Sequence, residues 1–211
     1  SPHRGKDPIV MGAEIIMALQ TIVSREIAPL KPAVITVGSF HSGFKHNIIS
    51  DKATMQLTVR SDDEDTRSKL LEGIKRIATN AGRMNGLPDD KLPEVLVSHE
   101  STPANYNDAA MTKRVKGVFA ARFGEEVFDN KPREGMGAED FAYFVAPNTD
   151  VPGVYFAVGG TPQADFDREA SGGAPVPSHH SPFFKIAPRE SVTLGTEAMT
   201  AAALDYLNPQ K

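Results

Sequence analysis

Apolar residues recur at helical spacing near the start of the chain. Ile9, Ala13, Ile16, Val23 and Ile27 share one face, with Gln20 the one polar gap. Asp7 is placed to cap this helix, Pro8 suits its first turn, and the helix should end before Pro29. Two strand-like runs follow. Ala33 to Phe40 is rich in β-branched residues. From Ala53 to Arg60 the pattern alternates: Met55, Leu57 and Val59 face one way, and Thr54, Gln56, Thr58 and Arg60 the other. One sheet face should therefore be buried and the other polar.

A second helix is expected from Ser61 onward, led by acids that suit the positive end of its dipole. Leu70, Ile74, Ile77, Ala81 and Met84 form its inner stripe, and Asn85-Gly86 ends it. Glu94 to Glu100 is expected as a short strand. Residues 7 to 100 thus follow the order α-β-β-α-β. This is the order of a β-α-β-β-α-β sandwich without its first strand, which would precede Ser1.

The stretch Ser101 to Asp108 marks a boundary. Beyond it the pattern predicts a helix from Asp108 to Arg122 closed by Gly124, then a strand from Val151 to Gly159. A last helix should open at Pro188, with Val192, Met199, Ala202 and Tyr206 on its inner face. Between the last two elements lies Gly160 to Ser181. At about 20 residues it exceeds the usual ~12–15 for a structureless connection, so it is functional or disordered. There is no internal repeat.

Composition narrows the class. Of 211 residues, 40% are hydrophobic and 24% charged, which supports a globular fold with a core. A net charge of −4 with no basic run argues against a nucleic-acid partner. No apolar run approaches the roughly 18–20 residues needed to cross a bilayer, so no membrane partner is expected. There is no cysteine, hence no disulfide framework or thiol chemistry. That fits a reducing compartment, with the cytoplasm the favoured location. The first residues carry neither Met nor a signal-peptide pattern.

Four places could carry chemistry. His179 and His180 adjoin in the sequence VPSHHSPFF, and imidazole is a common zinc ligand, but none of the six His falls in H-x-H, H-x-D or H-E-x-x-H spacing. Metal ligation and a pair of exposed loop histidines both fit. In GMGAEDF, Gly135 to Phe141, glycines let a backbone come close to a ligand, while Glu139 and Asp140 also suit plain capping of a helix start. Arg60 closes a strand on its polar face, and Asn47 lies in the loop before it. The guanidinium suits a ligand carboxylate, or simply pairs with Asp62 or Asp63. His3 sits beside Pro2 before the first cap and could equally be a terminal residue without a role. No G-x-S-x-G nucleophile elbow occurs.

Taken in order, SPHRGKDPI, KHNIISDKATMQLTVRS, GMGAEDFAYF and HHSPFF resemble the dinuclear-metal amidohydrolases of the aminoacylase and carboxypeptidase family, in the branch of hippurate hydrolases and N-acyl-amino-acid amidohydrolases. The resemblance covers nearly the whole chain. It implies an α+β lid, the β-α-β-β-α-β sandwich, over residues 1–103. After it, residues 104–211 would be the C-terminal portion of an α/β metallo-hydrolase catalytic domain. It implies a homodimer formed through the lid, with the first helix and an edge strand as contacts.

The resemblance also implies roles. His3 would reach the partner subunit's site and steady the carbonyl oxygen in the transition state. Asn47 and Arg60 would bind substrate polar groups, often the free carboxylate. Gly137 and Glu139 would line the substrate site, and His180 would ligate a metal. Two divalent ions (zinc, manganese, cobalt or nickel) would activate water for hydrolysis of an N-acyl amino acid amide. The other ligands and the catalytic glutamate would lie outside these residues, so this piece alone is expected to be inactive and to hold no metal. A non-catalytic dimerisation or binding module, and an exopeptidase of the same family, are the alternatives.

Overall fold

The computed structural model describes residues 1–130 and 135–208. They form two compact units: residues 1–105 with 135–143, and residues 106–130 with 144–208.

The first unit begins with α1 (Pro8–Thr21), which continues as a π-helical turn, Ile22–Glu26. The Asp7 side chain accepts from the Ile9 N–H at 2.8 Å and the Val10 N–H at 3.4 Å, and Pro8 occupies the first turn, as the sequence predicts. Strands β1 (Ala33–Ser42) and β2 (Ala53–Ser61) pair antiparallel, with Ala33 opposite Ser61 and Ser42 opposite Ala53. The register slips once, between Val37 and Ser39. Helix α2 (Glu64–Met84) follows, capped by Asp63, and the two helices pack on one face of the hairpin.

Met11, Ile15, Leu19 and Ile22 from α1 and its extension meet Leu70, Ile74, Ala78 and Ala81 from α2, with Ile27 and Ile35. Leu19, Ile22 and Leu70 are fully enclosed. Each contributes about 1.5–3 kcal/mol by leaving water.

The buried stripe of α1 is therefore not Ile9, Ala13 and Ile16: Ile9 and Ala13 are exposed. The helix is apolar nearly all round, so periodicity does not choose a face. Close approach does. A β-carbon at Gly12 would lie 2.5 Å from the Phe40 ring, so that side of α1 lies flat on β1. This apolar content also corrects the membrane-length expectation. Pro8–Glu26 spans 19 residues and is long and apolar enough, by length and composition, to cross a membrane. Its Met11–Ile22 stripe is instead part of a core. On α2 the expected stripe holds, except that terminal Met84 is exposed.

The expected strand at residues 94–100 is a correction. Among the described residues the sheet has two strands only, β1 and β2. Val95 packs on the core, but Leu96 is 79% exposed, and the Ser98 hydroxyl takes the Glu100 N–H in a local turn that competes with a ladder. Strand propensity without a neighbouring strand does not make a strand. The described elements of residues 1–103 are thus α-β-β-α.

The second unit contains α3 (Ala109–Phe123), α4 (Gln163–Ala170) and α5 (Pro188–Leu207). Asp108 caps α3, and Gly124 ends it with φ +89°, a conformation that favours glycine. Val115 and Phe119 pack against Ala198 and Ala202, with Phe156 set edge-on to Phe119 at 5.1 Å. Here too the inner face of α5 differs from expectation: small Ala198 permits close approach to α3, while Val192 and Met199 are exposed.

Residues 151–159 also form no strand among those described. Asn107 stands in for a strand partner: its Oδ1 accepts from the Tyr155 N–H and its Nδ2 donates to the Tyr155 carbonyl, both at 2.8 Å. The connection from Gly160 to Ser181 is not structureless, because it holds α4, closed by Gly172 at φ +84°.

Candidate functional site

The candidate residues of the first unit fall at two ends of the β1–β2 hairpin. His3 lies in a short 3-10 turn, Pro2–Arg4, just ahead of α1, and is exposed. Asn47 lies in the exposed connection between β1 and β2, beside a turn in which the Ile48 N–H donates to the Lys45 carbonyl. These two segments touch. A β-carbon on Gly5 would sit 3.6 Å from Ile49 Cδ1, and one on Gly43 would sit 3.6 Å from Ile9 Cδ1. His3 and Asn47 therefore share the hairpin-tip end of the unit, beside Phe44, which is 85% exposed.

Arg60 is at the other end, opposite Val34 in the register. Arg60 is the next-to-last residue of β2, which begins at the tip with Ala53. Seven steps at ~3.3 Å per residue are about 23 Å. Asn47 and Arg60, expected to act as a pair, are not together within one chain.

Arg60 also does not pair with Asp63. Asp63 is engaged by the Thr66 N–H at 2.8 Å, the Thr66 hydroxyl at 3.0 Å and Lys31 Nζ at 3.0 Å. The Thr66 backbone bond, and after it Lys31, hold its carboxyl down at about 2. Arg60 Nη1 instead donates to the Met136 carbonyl at 2.5 Å. Arg60 thereby meets the GMGAEDF stretch, which lies in the same unit.

In that stretch Gly137 and Glu139 are exposed, and space is open where side chains at Gly135 and Gly137 would project. The expected helix start is a single 3-10 turn, Asp140–Tyr143, whose Ala142 N–H donates to the Glu139 carbonyl. Ala142 is buried, and the Tyr143 hydroxyl donates to the Ser101 carbonyl. The tie from Arg60 to Met136 was not legible in the sequence, since the two are 76 residues apart.

His179 and His180 lie in the second unit with ring centroids 4.4 Å apart and planes tilted by 48°. Both are exposed, and a turn closed by the Ser181 N–H on the Ser178 carbonyl precedes Phe183 and Phe184. Among the described residues, no three His, Asp or Glu side chains come together to hold a metal ion. The residues present do not by themselves make a metal site, since zinc sites use three or more protein ligands.

Comparison with known proteins defines the class. Residues 1–84 match the M20 peptidase dimerisation domain. Thermostable carboxypeptidase 2 of Saccharolobus solfataricus is 32% identical over 99% of the chain and 48% of its own length. Hippurate hydrolase of Campylobacter jejuni is 33% identical over 68% of the chain and 36% of its own length. A crystal structure of a candidate aminohydrolase from methicillin-resistant Staphylococcus aureus superposes with a TM-score of 0.76 at 28% identity, covering 99% of this chain and 49% of that one. The Bacillus subtilis YXEP protein, a dinuclear metal binding peptidase, shares the fold with a TM-score of 0.63 at 23% identity, covering 95% of this chain and 46% of that one.

The chain belongs to the M20 family of peptidases and amidohydrolases. It spans about half the length, or less, of the relatives it matches.

Proposed function

We propose that this chain is part of a metal-dependent hydrolase that cleaves the amide bond of N-acyl amino acids or related small substrates. In this reading residues 1–103 are the lid and residues 104–211 belong to the catalytic domain. His180 is one ligand of a divalent metal. His3 donates to the developing oxyanion, a role worth on the order of 10²–10³ in rate for one such donor. Arg60 and Asn47 bind polar groups of the substrate, and Gly137 and Glu139 line its path.

The observation that carries this reading is the separation of His3 and Asn47 from Arg60 by nearly the whole of β2. An N-acyl amino acid is on the order of 10 Å long and cannot touch both ends in one protomer. Two copies, each offering one end, would complete one site, and a dimerisation domain is the part of the chain that bears these residues. The carboxypeptidases among the relatives favour a second reading, an exopeptidase with the same chemistry and a peptide substrate.

The test is a panel of N-acetyl and N-benzoyl amino acids with zinc, manganese, cobalt or nickel, run on the natural protein that carries this chain. Turnover in the wild type, lost at least ~100-fold in His180→Ala, supports the reading. No turnover of any amide in the panel overturns it.

A further inference from the structure

Among the described residues, the GMGAEDF stretch is held on its own unit towards both of its ends. At its C-terminal end Ala142 is buried and the Tyr143 hydroxyl holds the Ser101 carbonyl. At its N-terminal end the tie is the Arg60 Nη1 bond to the Met136 carbonyl. Met136 is half-buried, but packing is open on either side of it: no atom beyond the chain neighbours lies within 4 Å of where a β-carbon would stand at Gly135 or Gly137. Two glycines flanking Met136 also leave the backbone free to swing, since glycine resists few φ/ψ combinations.

We propose that Arg60 is the positioning residue that fixes the Gly135–Glu139 turn against the end of the lid sheet. The guanidinium suits this role. It is planar, always charged, and its fork carries donors beyond the one directed at Met136. A carbonyl on one arm and a carboxylate on the other are compatible with one Arg. The same side chain that receives a substrate carboxylate would then set where Gly137 and Glu139 stand beside it. This extends the function proposed above, and rests on it only in taking the turn as part of the substrate site. A substitution at Arg60 therefore removes an anion contact and frees a turn at once. Arg60→Lys separates the two effects: an ammonium keeps one donor for Met136 but loses the bidentate fork.

The test is backbone ¹⁵N relaxation on the isotopically labelled natural protein that carries this chain. Residues 135–138 should show order parameters near about 0.8 in the wild type and in Arg60→Lys, and below about 0.6 in Arg60→Leu. Leu19 and Leu70 in the core should remain at about 0.85 in all three. The Met136 carbonyl carbon should shift upfield in Arg60→Leu and return in Arg60→Lys. Unchanged order at 135–138 in Arg60→Leu overturns the proposal, and so does an equal loss at Leu19 and Leu70.

A titration with N-benzoylglycine and with its primary amide reads the other arm. If neither moves the Arg60 Nη resonances while Arg60→Leu still frees the turn, the carboxylate role falls and the tether stands.

Discussion

Gly73 of α2 lies directly against Ile22. A β-carbon at position 73 would stand 2.9 Å from Ile22 Cδ1 and 3.2 Å from its Cγ1 and Cγ2. Ile22 is wholly enclosed, so it has nowhere to move. The absence of a side chain at 73 is what lets α2 close on the α1 extension. Alanine there gains up to about 1 kcal/mol of helix propensity but overpacks the contact, which costs about 1–3 kcal/mol. Gly73→Ala should therefore lower the urea midpoint with an unchanged m-value. Ile22→Val removes the nearest atom, so the double variant should lose less than the sum of the two single losses. A Gly73→Ala chain as stable as the wild type would show that the helices part without cost.

Asp63 makes stability depend on acid. Its carboxyl titrates at about 2 in the fold, held down first by the Thr66 N–H and then by Lys31, against 3.8 unperturbed. As pH falls, the unfolded chain takes up the proton first. The contribution is complete above about pH 5 and is lost as pH falls through the unfolded value and then the folded one. Asp63→Asn keeps a cap oxygen for Thr66 but cannot titrate. Thermal melts of the variant should show less destabilisation between pH 4 and pH 2 than those of the wild type. Parallel curves for the two proteins over that range would rule this out.

What the sequence disclosed here, and what it hid, divide along a physical line. The helix ends were legible in part: Asp7 with Pro8 caps α1, acids lead α2 and Gly124 closes α3 as their chemistry predicts, while the caps made by Asp63 and Asp108 are seen only in the structure. Capping is settled within a few residues, so sequence neighbours suffice. The buried face of α1 was not legible, because a helix apolar all round is oriented by Gly12 against Phe40 and Ile22 against Gly73, contacts between distant residues. Residues 94–100 and 151–159 carry strand composition without a neighbouring strand among the described residues, and α4 was hidden in a stretch poor in apolar residues. Of the site, the residue types were readable. That β2 holds Asn47 and Arg60 apart, and that Arg60 reaches Met136, follows only from the register and the fold.

The outward side of α1 makes a prediction about assembly. Val10 and Met17 stand seven residues apart on one face, 52% and 71% exposed, while the opposite stripe is buried. Seven residues is close to two helical turns, so the two side chains form an apolar strip along the outer side of α1. A chain bearing a peptidase dimerisation domain has a use for such a strip. Light scattering should find dimers, and Met17→Glu should convert them to monomers while leaving the helical circular dichroism intact, since glutamate is a good helix former. Dimers that survive both Met17→Glu and Val10→Glu would move the contact elsewhere.

If one site draws His3 and Asn47 from one copy and Arg60 from the other, inactive variants should rescue each other. Take His3→Ala and Arg60→Leu in the natural protein, each inactive alone in the proposed assay. Mixed and re-dimerised at equal amounts, about half the dimers are heterodimers by random pairing. Within each heterodimer one site takes Arg60 from the His3→Ala copy and His3 from the Arg60→Leu copy, so it is complete. The other site carries both substitutions. About a quarter of all sites in the mixture should then regain full turnover, with KM unchanged because the restored sites are wild type. Were both residues drawn from the same copy, every site would lack one of them and mixing would restore nothing. Recovery near one quarter, absent when the variants are mixed without exchange of subunits, distinguishes the two arrangements in a single rate measurement.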